Sequence, residues 1–513
     1  MRQLDLDSQE RLALLDLVRD KVIAYLDALP NLPAYGSDIS DAQRDANINC
    51  ISDMGIPQEP TDIQKVLDIV FDTMAPTGIN PASGGFFGYV GGGGLFTHAV
   101  GALLAETLNR YTGAYFTSPP LIESEDQVLK FFCRLMGYDP LTAGGTLTSG
   151  GSISTQSALL VARDIAMRNS TTHELDWSRL PKLHAFCSEQ THHSVGKGAH
   201  LAGIPHTVTV GTNFGGSMDM DALEAAMIKV EQEGGICCCL IATVGTTDCG
   251  AVDDIRRAVE LAARFKAFLH VDACYGGFWV PLLRSRSIES PLVPVDWMEA
   301  MAEVDSITMD PHKSMFLPYG TGVLLVKNRD LLIQTMNPSA HGNYMPELKP
   351  HELNHCNLSM ELTRPARGFT AWFALAAHGW QSWETCLIEK RVLALDFYQR
   401  LRAAPYLTAA GQFQWQVAEP ALTVVPLRLY SKEMTTLQLN SLNQTLLELL
   451  NAQGSVFVSG TLVDNPFEAA KKDETVYVLR PCIIVYRTHQ QHMDTLFRLL
   501  EEVAPQAVAK IGF

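Results

Sequence analysis

KAFLHVD at Lys266–Asp272 and VDSITMDPHK at Val304–Lys313 are the two stretches that decide the fold of this 513-residue chain. Each is an apolar run that leads into a charged side chain, as buried strands of a layered α/β sheet do at their ends. Asp272 and Lys313 stand 41 positions apart (313 − 272) on these two neighbouring segments. We therefore expect both side chains at strand ends, where such sheets bind ligands.

A lysine and an aspartate are the two protein groups that pyridoxal phosphate chemistry requires. The lysine forms a Schiff base with the aldehyde, and the aspartate pairs with the pyridinium nitrogen. An amine attacks a carbonyl only when it is unprotonated, and burial makes a lysine lose its proton more easily, so we expect Lys313 to be desolvated. Taken singly, Lys313 is most simply a solvated loop residue and Asp272 a helix cap. Together they indicate a pyridoxal phosphate enzyme.

Two further segments offer groups for the phosphate and for the face of the ring. Gly151 and Ser152 precede a predicted helix, whose first amides and dipole hold an anion. A glycine pair before a helix is, however, more often only a tight turn. His192 and His193 follow a short strand, and an imidazole can stack on a pyridine ring. The sequence leaves open which of these two histidines faces the cofactor.

A third segment, ATVGTT, follows the apolar strand at 236–241 and ends at Thr247. A hydroxyl at a strand end can hydrogen-bond the ring oxygen of the cofactor. Asp253, six residues further on, is predicted either as a site residue or only as the cap of the next helix.

In this order along the chain, the segments resemble the group II pyridoxal-dependent amino-acid decarboxylases, such as the aromatic-L-amino-acid, glutamate and diaminobutyrate enzymes. The resemblance spans roughly residues 65–505. It implies Lys313 as the Schiff-base lysine, Asp272 as the pyridinium partner and His192 as the residue stacked on the ring. Residues that it places in or near the cofactor site are Gly151, Ser152, Thr247, Asp253, His312 and Arg364.

The resemblance also implies a fold and a reaction. The fold is the α/β type I fold of pyridoxal phosphate enzymes, with a mostly parallel sheet in a large domain and a smaller C-terminal α+β domain. The reaction is α-decarboxylation of an L-amino acid to the amine and carbon dioxide, with pyridoxal 5'-phosphate as cofactor. One alternative is an aldehyde synthase that also begins with decarboxylation. The other is a catalytically inactive structural homologue, against which the presence of both Lys313 and Asp272 argues.

Two departures from the family pattern stand out. Cys274 occupies a position where the family often has alanine. In the predicted mobile loop, His341 and Tyr344 are both candidates for the group that protonates the substrate carbon, and the choice between them stays open. The glycine run at 91–94 lacks side chains, so we expect it to leave room for a larger substrate, but the substrate itself is not readable.

The chain divides by pattern into three predicted segments. Residues 1–122 are an N-terminal helical segment, residues 123–404 a large cofactor-binding domain and residues 405–513 a small C-terminal domain. Amphipathic stretches at 8–30 and 62–75 flank a polar region that we expect to be irregular. Such apolar faces must be buried against another protein surface. Because family members exchange N-terminal segments, we expect a homodimer with active sites at the interface.

Composition excludes several classes of partner. The net charge of −17 argues against nucleic acid and anionic membrane. Eleven cysteines, including Cys237–Cys239 inside an apolar strand, show no metal-binding spacing and indicate reduced thiols. The N-terminus lacks an apolar signal core and no apolar run reaches membrane-spanning length, so we expect a cytoplasmic protein.

Overall fold

The computed structural model of the protein describes residues 4–36, 39–337, 352–404, 412–472 and 474–512. Its helices are α1 (Ser8–Ala28), α2 (Asp41–Met54), α3 (Ile63–Asp68), α4 (Phe96–Leu108), α5 (Pro119–Met136), α6 (Gly151–Met167), α7 (Ser194–Leu201), α8 (Met220–Gln232), α9 (Ile255–Phe265), α10 (Val280–Arg284), α11 (Val295–Glu299), α12 (Pro311–Ser314), α13 (Arg329–Met336), α14 (Arg367–His378), α15 (Trp380–Ala403), α16 (Thr436–Asn451) and α17 (Gln490–Lys510). Its strands are β1 (Phe86–Phe87), β2 (Gly144–Thr148), β3 (Leu183–Ser188), β4 (His206–Val210), β5 (Ile236–Thr243), β6 (Phe268–Asp272), β7 (Ser306–Met309), β8 (Gly322–Val326), β9 (Gln414–Val417), β10 (Leu427–Tyr430), β11 (Phe457–Val458), β12 (Gly460–Asp464) and β13 (Thr475–Leu479).

The seven-stranded central sheet has the strand order β2-β8-β7-β6-β5-β3-β4. Neighbours from β7 to β4 pair in parallel, whereas β8 pairs antiparallel with both β7 and β2. The predicted α/β class with a mostly parallel sheet is therefore confirmed. The carboxyl ends of β5, β6 and β7 lie side by side, which brings Thr243 next to Asp272 and Asp272 next to Thr308.

Burial explains why these segments form strands. Every residue of β6 and β7 is buried, which is typical of a parallel sheet covered by helices on both faces. The helix α9 covers one part of the sheet with an apolar stripe repeated every three or four residues. That stripe consists of Ile255, Ala258, Leu261, Ala262 and Phe265. Asp254 caps the start of α9 by accepting a hydrogen bond from the Arg257 amide, and Lys266 ends it in the left-handed conformation.

A second hydrophobic core lies in the C-terminal part of the chain. The antiparallel sheet there has the order β12-β13-β10-β9, and α15, α16 and α17 pack on it. The short parallel pair of β1 with β11 connects this part to the N-terminal residues. The division of the chain at 122 and 404 stays a prediction.

The expectation that residues 31–60 are irregular is wrong for α2. Ser40 caps this helix by accepting a hydrogen bond from the Gln43 amide, and Gly55 ends it with a positive φ. None of its residues is buried, so no apolar stripe indicated a helix, although Ser40 carried a usable start signal. The predicted helices on either side are confirmed as α1 and α3, the latter continuing as a π-helical segment to Met74, but α1 buries none of its residues.

None of the described helices contains a stretch long and apolar enough to cross a bilayer. All eleven cysteines are free thiols. In β5, Cys237, Cys238 and Cys239 are all buried, and burial raises the pKa of each thiol. They therefore contribute apolar packing rather than reactivity.

His270 is a fully buried histidine two residues before Asp272 on β6. Its Nδ1 lies 2.8 Å from Ser306 Oγ and its Nε2 lies 3.2 Å from Thr308 Oγ1. Burial lowers the pKa of His270 from 6.5 to about 4, although the charge of Asp272 opposes this shift. The folded protein therefore holds this imidazole neutral above about pH 4.

We predict that the free energy of unfolding decreases as the pH falls from 6.5 to about 4. In this window His270 is protonated in the unfolded chain but not in the folded chain. This difference lowers the free energy of unfolding by about 3 kcal/mol in total. Urea unfolding at neutral and acidic pH measures the loss. His270→Asn should reduce this pH dependence by the share of His270, while other buried histidines such as His98, whose pKa burial also lowers to about 4, still contribute. The exposed His200→Asn should leave the pH dependence unchanged. Equal pH slopes in wild type and His270→Asn would contradict the prediction.

Candidate active site

A cavity of about 380 Å³ opens at the carboxyl ends of β5, β6 and β7. The seven residues that the sequence predicts as cofactor contacts all line it: Gly151, Ser152, His192, Thr247, Asp272, His312 and Lys313. The two candidate proton donors, His341 and Tyr344, lie outside the described residues.

Lys313 lies in the short helix α12, directly after β7. Its Nζ is 3.0 Å from Oδ2 of Asp310, and its side chain is 24% exposed. Burial lowers the pKa of Lys313, but the charges of Asp310 and Asp272 and the hydrogen bond to Asp310 outweigh it and leave the pKa above its usual value. The prediction that burial makes Lys313 lose its proton more easily is therefore wrong in its net direction. The neighbouring carboxylate, which the sequence reasoning did not include, decides the sign.

Asp272 is the last residue of β6 and is 5% exposed. Its Oδ1 accepts a hydrogen bond of 3.1 Å from the amide of Cys274. Asp272 therefore presents a carboxylate to the cavity from a strand end that is fixed by pairing on both sides. This position is suited to a cationic partner in the cavity, because a buried carboxylate needs one.

His192, and not His193, lines the cavity. The Nδ1 atom of His192 lies 2.8 Å from Ser194 Oγ, and the centres of the two imidazole rings are 4.0 Å apart. Burial lowers the pKa of His192 most, and the charge of the neighbouring His193 lowers it further. Of the two histidines, His192 is therefore the one that presents a largely neutral ring to the cavity.

The start of α6 forms a cradle for an anion. Gly150 has a φ of +152°, which L side chains rarely adopt, and α6 begins at Gly151. A Cβ added to Gly151 would lie 2.3 Å from Cys274 Sγ and 3.1 Å from Asp310 Oδ2. Backbone amides at such a helix start hold a phosphate, and glycine lets the backbone come close. With the lysine and the carboxylate of Asp272 in the same cavity, the residues fit pyridoxal phosphate.

Comparison with known proteins agrees with this geometry. The family model for the pyridoxal-dependent decarboxylase conserved domain matches residues 47–414. The chain belongs to the pyridoxal-dependent decarboxylase family. Pyridoxal phosphate is accordingly its cofactor, as predicted.

Individual relatives cover most of the chain. An aromatic-L-amino-acid decarboxylase of Bacillus atrophaeus is 24% identical over 95% of this chain and 94% of its own length. An L-2,4-diaminobutyrate decarboxylase of Rhizobium meliloti (strain 1021) is 30% identical over 61% of this chain and 60% of its own. The crystal structure of Oryza sativa TDC with PLP and tryptamine superimposes with a TM-score of 0.84, at 21% identity and 99% coverage of both chains. This likeness confirms the predicted type I fold.

Among the other residues implied by the resemblance to pyridoxal-dependent decarboxylases, Thr247 is exposed at the cavity and Asp253 is not part of its lining. The fully buried Asp253 carboxylate accepts hydrogen bonds of 2.7 Å from the amides of Met218 and Thr243. It does not cap the following helix, because Asp254 does. Asp253 therefore supports the end of β5 from behind the site.

Arg364 also acts at a distance from the cavity. Its Nη2 lies 2.7 Å from Oε1 of Glu125 and donates a 3.0 Å hydrogen bond to the carbonyl oxygen of Leu147 on β2. The backbone of Leu147 also helps to lower the pKa of the Glu125 carboxyl. Burial raises the pKa of Glu125, but the opposing charge of Arg364 leads the effects that lower it overall. The pair thereby holds β2, which leads directly into Gly150 and Gly151.

The glycine run at 91–94 does not provide the room for substrate that we expected. A Cβ on Gly92 would lie 2.3 Å from the carbonyl oxygen of Lys313 and 2.8 Å from Cα of Phe316. Gly93 has a φ of +93°, and its Cβ would lie 2.8 Å from Val485 Cγ1. Gly92 is required because it passes directly against the turn that carries Lys313.

Asp310 and Val90 line the cavity but were not among the predicted site residues. For Asp310 a signal was available, since it lies three residues before Lys313 and α12 brings such positions onto one face. Cys274, identified as a departure from the family pattern, also lines the cavity.

We predict that Gly151→Ala weakens pyridoxal phosphate binding at least about tenfold, which is about 1.4 kcal/mol. The added methyl group would lie 2.3 Å from Cys274 Sγ, so the loop must move. Replacing Cys274 by alanine in the same chain should restore most of the affinity, because the sulfur is removed. A spectroscopic titration with the cofactor measures this. Cys274→Ala alone is the control, and a double variant that binds no better than Gly151→Ala would contradict the explanation.

Proposed function

We propose that this member of the family removes the α-carboxylate of an L-amino acid as carbon dioxide and releases the amine, with the described cavity as its active site. The observation that carries the proposal is the convergence of Asp272 and Lys313, from the ends of the neighbouring strands β6 and β7, in one cavity with the glycine cradle of α6. No metal is needed for this role.

Each residue has a proposed task. Lys313 would hold the cofactor through its amine, and Asp272 would pair with the ring nitrogen. His192 would lie against the ring, while Gly151 and Ser152 would hold the phosphate. When bound, pyridoxal phosphate supplies an electron sink for the pair of electrons left when carbon dioxide departs.

Protonation of the substrate carbon is the step that decides the product. We propose His341 or Tyr344 as the proton donor, and both lie outside the described residues. Closure of protein over the cavity would exclude water and limit side reactions. The substrate is proposed only as an L-amino acid, and aromatic amino acids and 2,4-diaminobutyrate, after which relatives are named, come first in a screen.

We predict that Lys313→Ala abolishes release of carbon dioxide and amine, and that Asp272→Asn lowers the rate about a hundredfold or more, which is about 2.7 kcal/mol. Asparagine lacks the charge that keeps the ring nitrogen protonated. Carbon dioxide and amine are measured together by mass spectrometry. Lys327→Ala, outside the cavity lining, is the control. Full activity of Lys313→Ala would disprove the assignment, and an aldehyde in place of the amine would identify an aldehyde synthase.

We further propose that the working unit is a homodimer. Neither α1 nor α2 has a buried residue, and α1 exposes Leu12 and Leu15. On α4, Leu103 and Leu108 are each more than half exposed. Exposed apolar side chains on successive helices are typical of a subunit interface. We also propose the cytoplasm as its location, which the buried free thiols of β5 support.

We predict that hybrid dimers recover activity. Lys313→Ala chains would be unfolded and refolded together with chains that are substituted at both His341 and Tyr344. If the loop of one subunit serves its neighbour, one site of each hybrid combines both intact elements and turns over. Separately refolded variants are the control. Inactive hybrids of confirmed composition would show that the loop serves its own subunit, and a monomer in light scattering would disprove the dimer.

A further inference from the structure

Asp310 is a second carboxylate in the cavity, and the proposed reaction gives it no task. It occupies the position just before α12, but its side chain does not cap that helix. Instead its Oδ2 lies 3.0 Å from Nζ of Lys313. Its Oδ1 is buried and has no hydrogen-bond partner among the described residues. The backbone amide of Asp310 donates to the carbonyl oxygen of Cys274, which fixes the residue in place.

His312 does not replace Lys313 as the counter-charge of Asp310. Its Nδ1 lies 2.7 Å from the carbonyl oxygen of Thr321, which can only accept, so Nδ1 carries the hydrogen. The other nitrogen, Nε2, faces Asp310 Oδ2 at 3.7 Å. In the neutral ring this nitrogen is an acceptor, as is the carboxylate. Only a doubly protonated His312 could pair with Asp310.

The remaining titratable groups around Lys313 come from four other parts of the chain. They are Asp272 at the end of β6 and Cys274 just after it, His192 after β3, Tyr319 before β8 and Cys482 after β13. Burial raises the pKa of Cys274 and lowers that of His192, so both are predominantly neutral at pH 7. Asp310 is therefore the carboxylate in direct contact with Nζ, and Asp272 acts from further away.

We propose that Asp310 holds Lys313 as an ammonium whenever the lysine nitrogen is not bonded to the cofactor, and thereby makes capture of pyridoxal phosphate strongly pH-dependent. This inference rests on the proposed function, because it takes Lys313 as the cofactor lysine. The same contact would keep a lysine released during turnover from competing with the substrate amine. Asp310 is thus a positioning residue that acts through Lys313.

The chemistry of capture shows why the ion pair matters. The ammonium first gives one proton to solvent. The neutral nitrogen then attacks the aldehyde carbon, a C=N bond forms, and the aldehyde oxygen leaves as water with the two remaining hydrogens of the amine. Every contact that favours the ammonium lowers the fraction of neutral amine at a given pH. Removing the charge of Asp310 should therefore speed capture at neutral pH.

The experiment uses the full-length chain from which the cofactor has been removed, with saturating pyridoxal phosphate over a range of pH. Bonds are trapped by borohydride, and the modified lysine is identified by peptide mass spectrometry. We expect Asp310→Asn to be modified at Lys313 at least about tenfold faster than wild type at pH 7, with its half-maximal rate at least about one pH unit lower. Asp310→Glu, which keeps the charge, should remain close to wild type.

Asp305→Asn is the matched control, because Asp305 is a partly buried carboxylate that accepts from the Leu269 amide and lies outside the cavity lining. Its pH profile should coincide with that of wild type. Coincident profiles for Asp310→Asn and wild type, with the label on Lys313, would overturn the role of Asp310 and leave the proposed function intact. A label on a different lysine would overturn the assignment of Lys313 and this inference with it.

Discussion

Three ionisable groups lie together at the ends of two neighbouring buried strands: the side chains of Lys313, Asp310 and Asp272. Charges removed from water are costly unless other charges or hydrogen bonds compensate them. Here the amide of Cys274 supports Asp272, and the carbonyl of the same residue accepts from the amide of Asp310. The close passage of Gly92 and Gly151 against this group follows from the same constraint, because any side chain there would displace it.

Carboxylates outside the cavity lining recur as supports for the backbone. Asp253 joins the end of β5 to Met218, and Asp305 accepts from Leu269 at the start of β6. Glu125 acts with Arg364 on Leu147. In each case a side chain bonds to backbone groups that have no partner in the regular strand pairing. Each such group, if buried without a hydrogen bond, would cost about 1–3 kcal/mol. The strand ends are thus held rigidly, as a site that must orient a ring and a phosphate requires.

The fold and the cavity could largely be predicted from sequence, and the reasons are local. Apolar runs that end in Asp272 and Lys313 indicate strand ends, and strand ends of a parallel sheet converge. The net direction of the pKa shift of Lys313 could not be predicted, because it depends on the 3.0 Å contact with Asp310. The choice between His192 and His193 likewise depends on the path of the chain between β3 and α7. No apolar stripe predicts helix α2, because the helix buries nothing, and the need for glycine at position 92 depends on a neighbour that is distant in sequence.

The ion pair of Glu125 and Arg364 has a consequence beyond the cofactor cradle. β2 is the outermost strand on its side of the central sheet, and the carbonyl oxygen of Leu147 on it is occupied by the side chain of Arg364. An outermost strand with free polar groups is a template for a strand of another molecule. With this carbonyl oxygen bonded and Gly145 to Thr148 buried, β2 presents little free backbone to an incoming strand. The side chains that hold the cofactor loop in place therefore also help to cover this edge of the sheet.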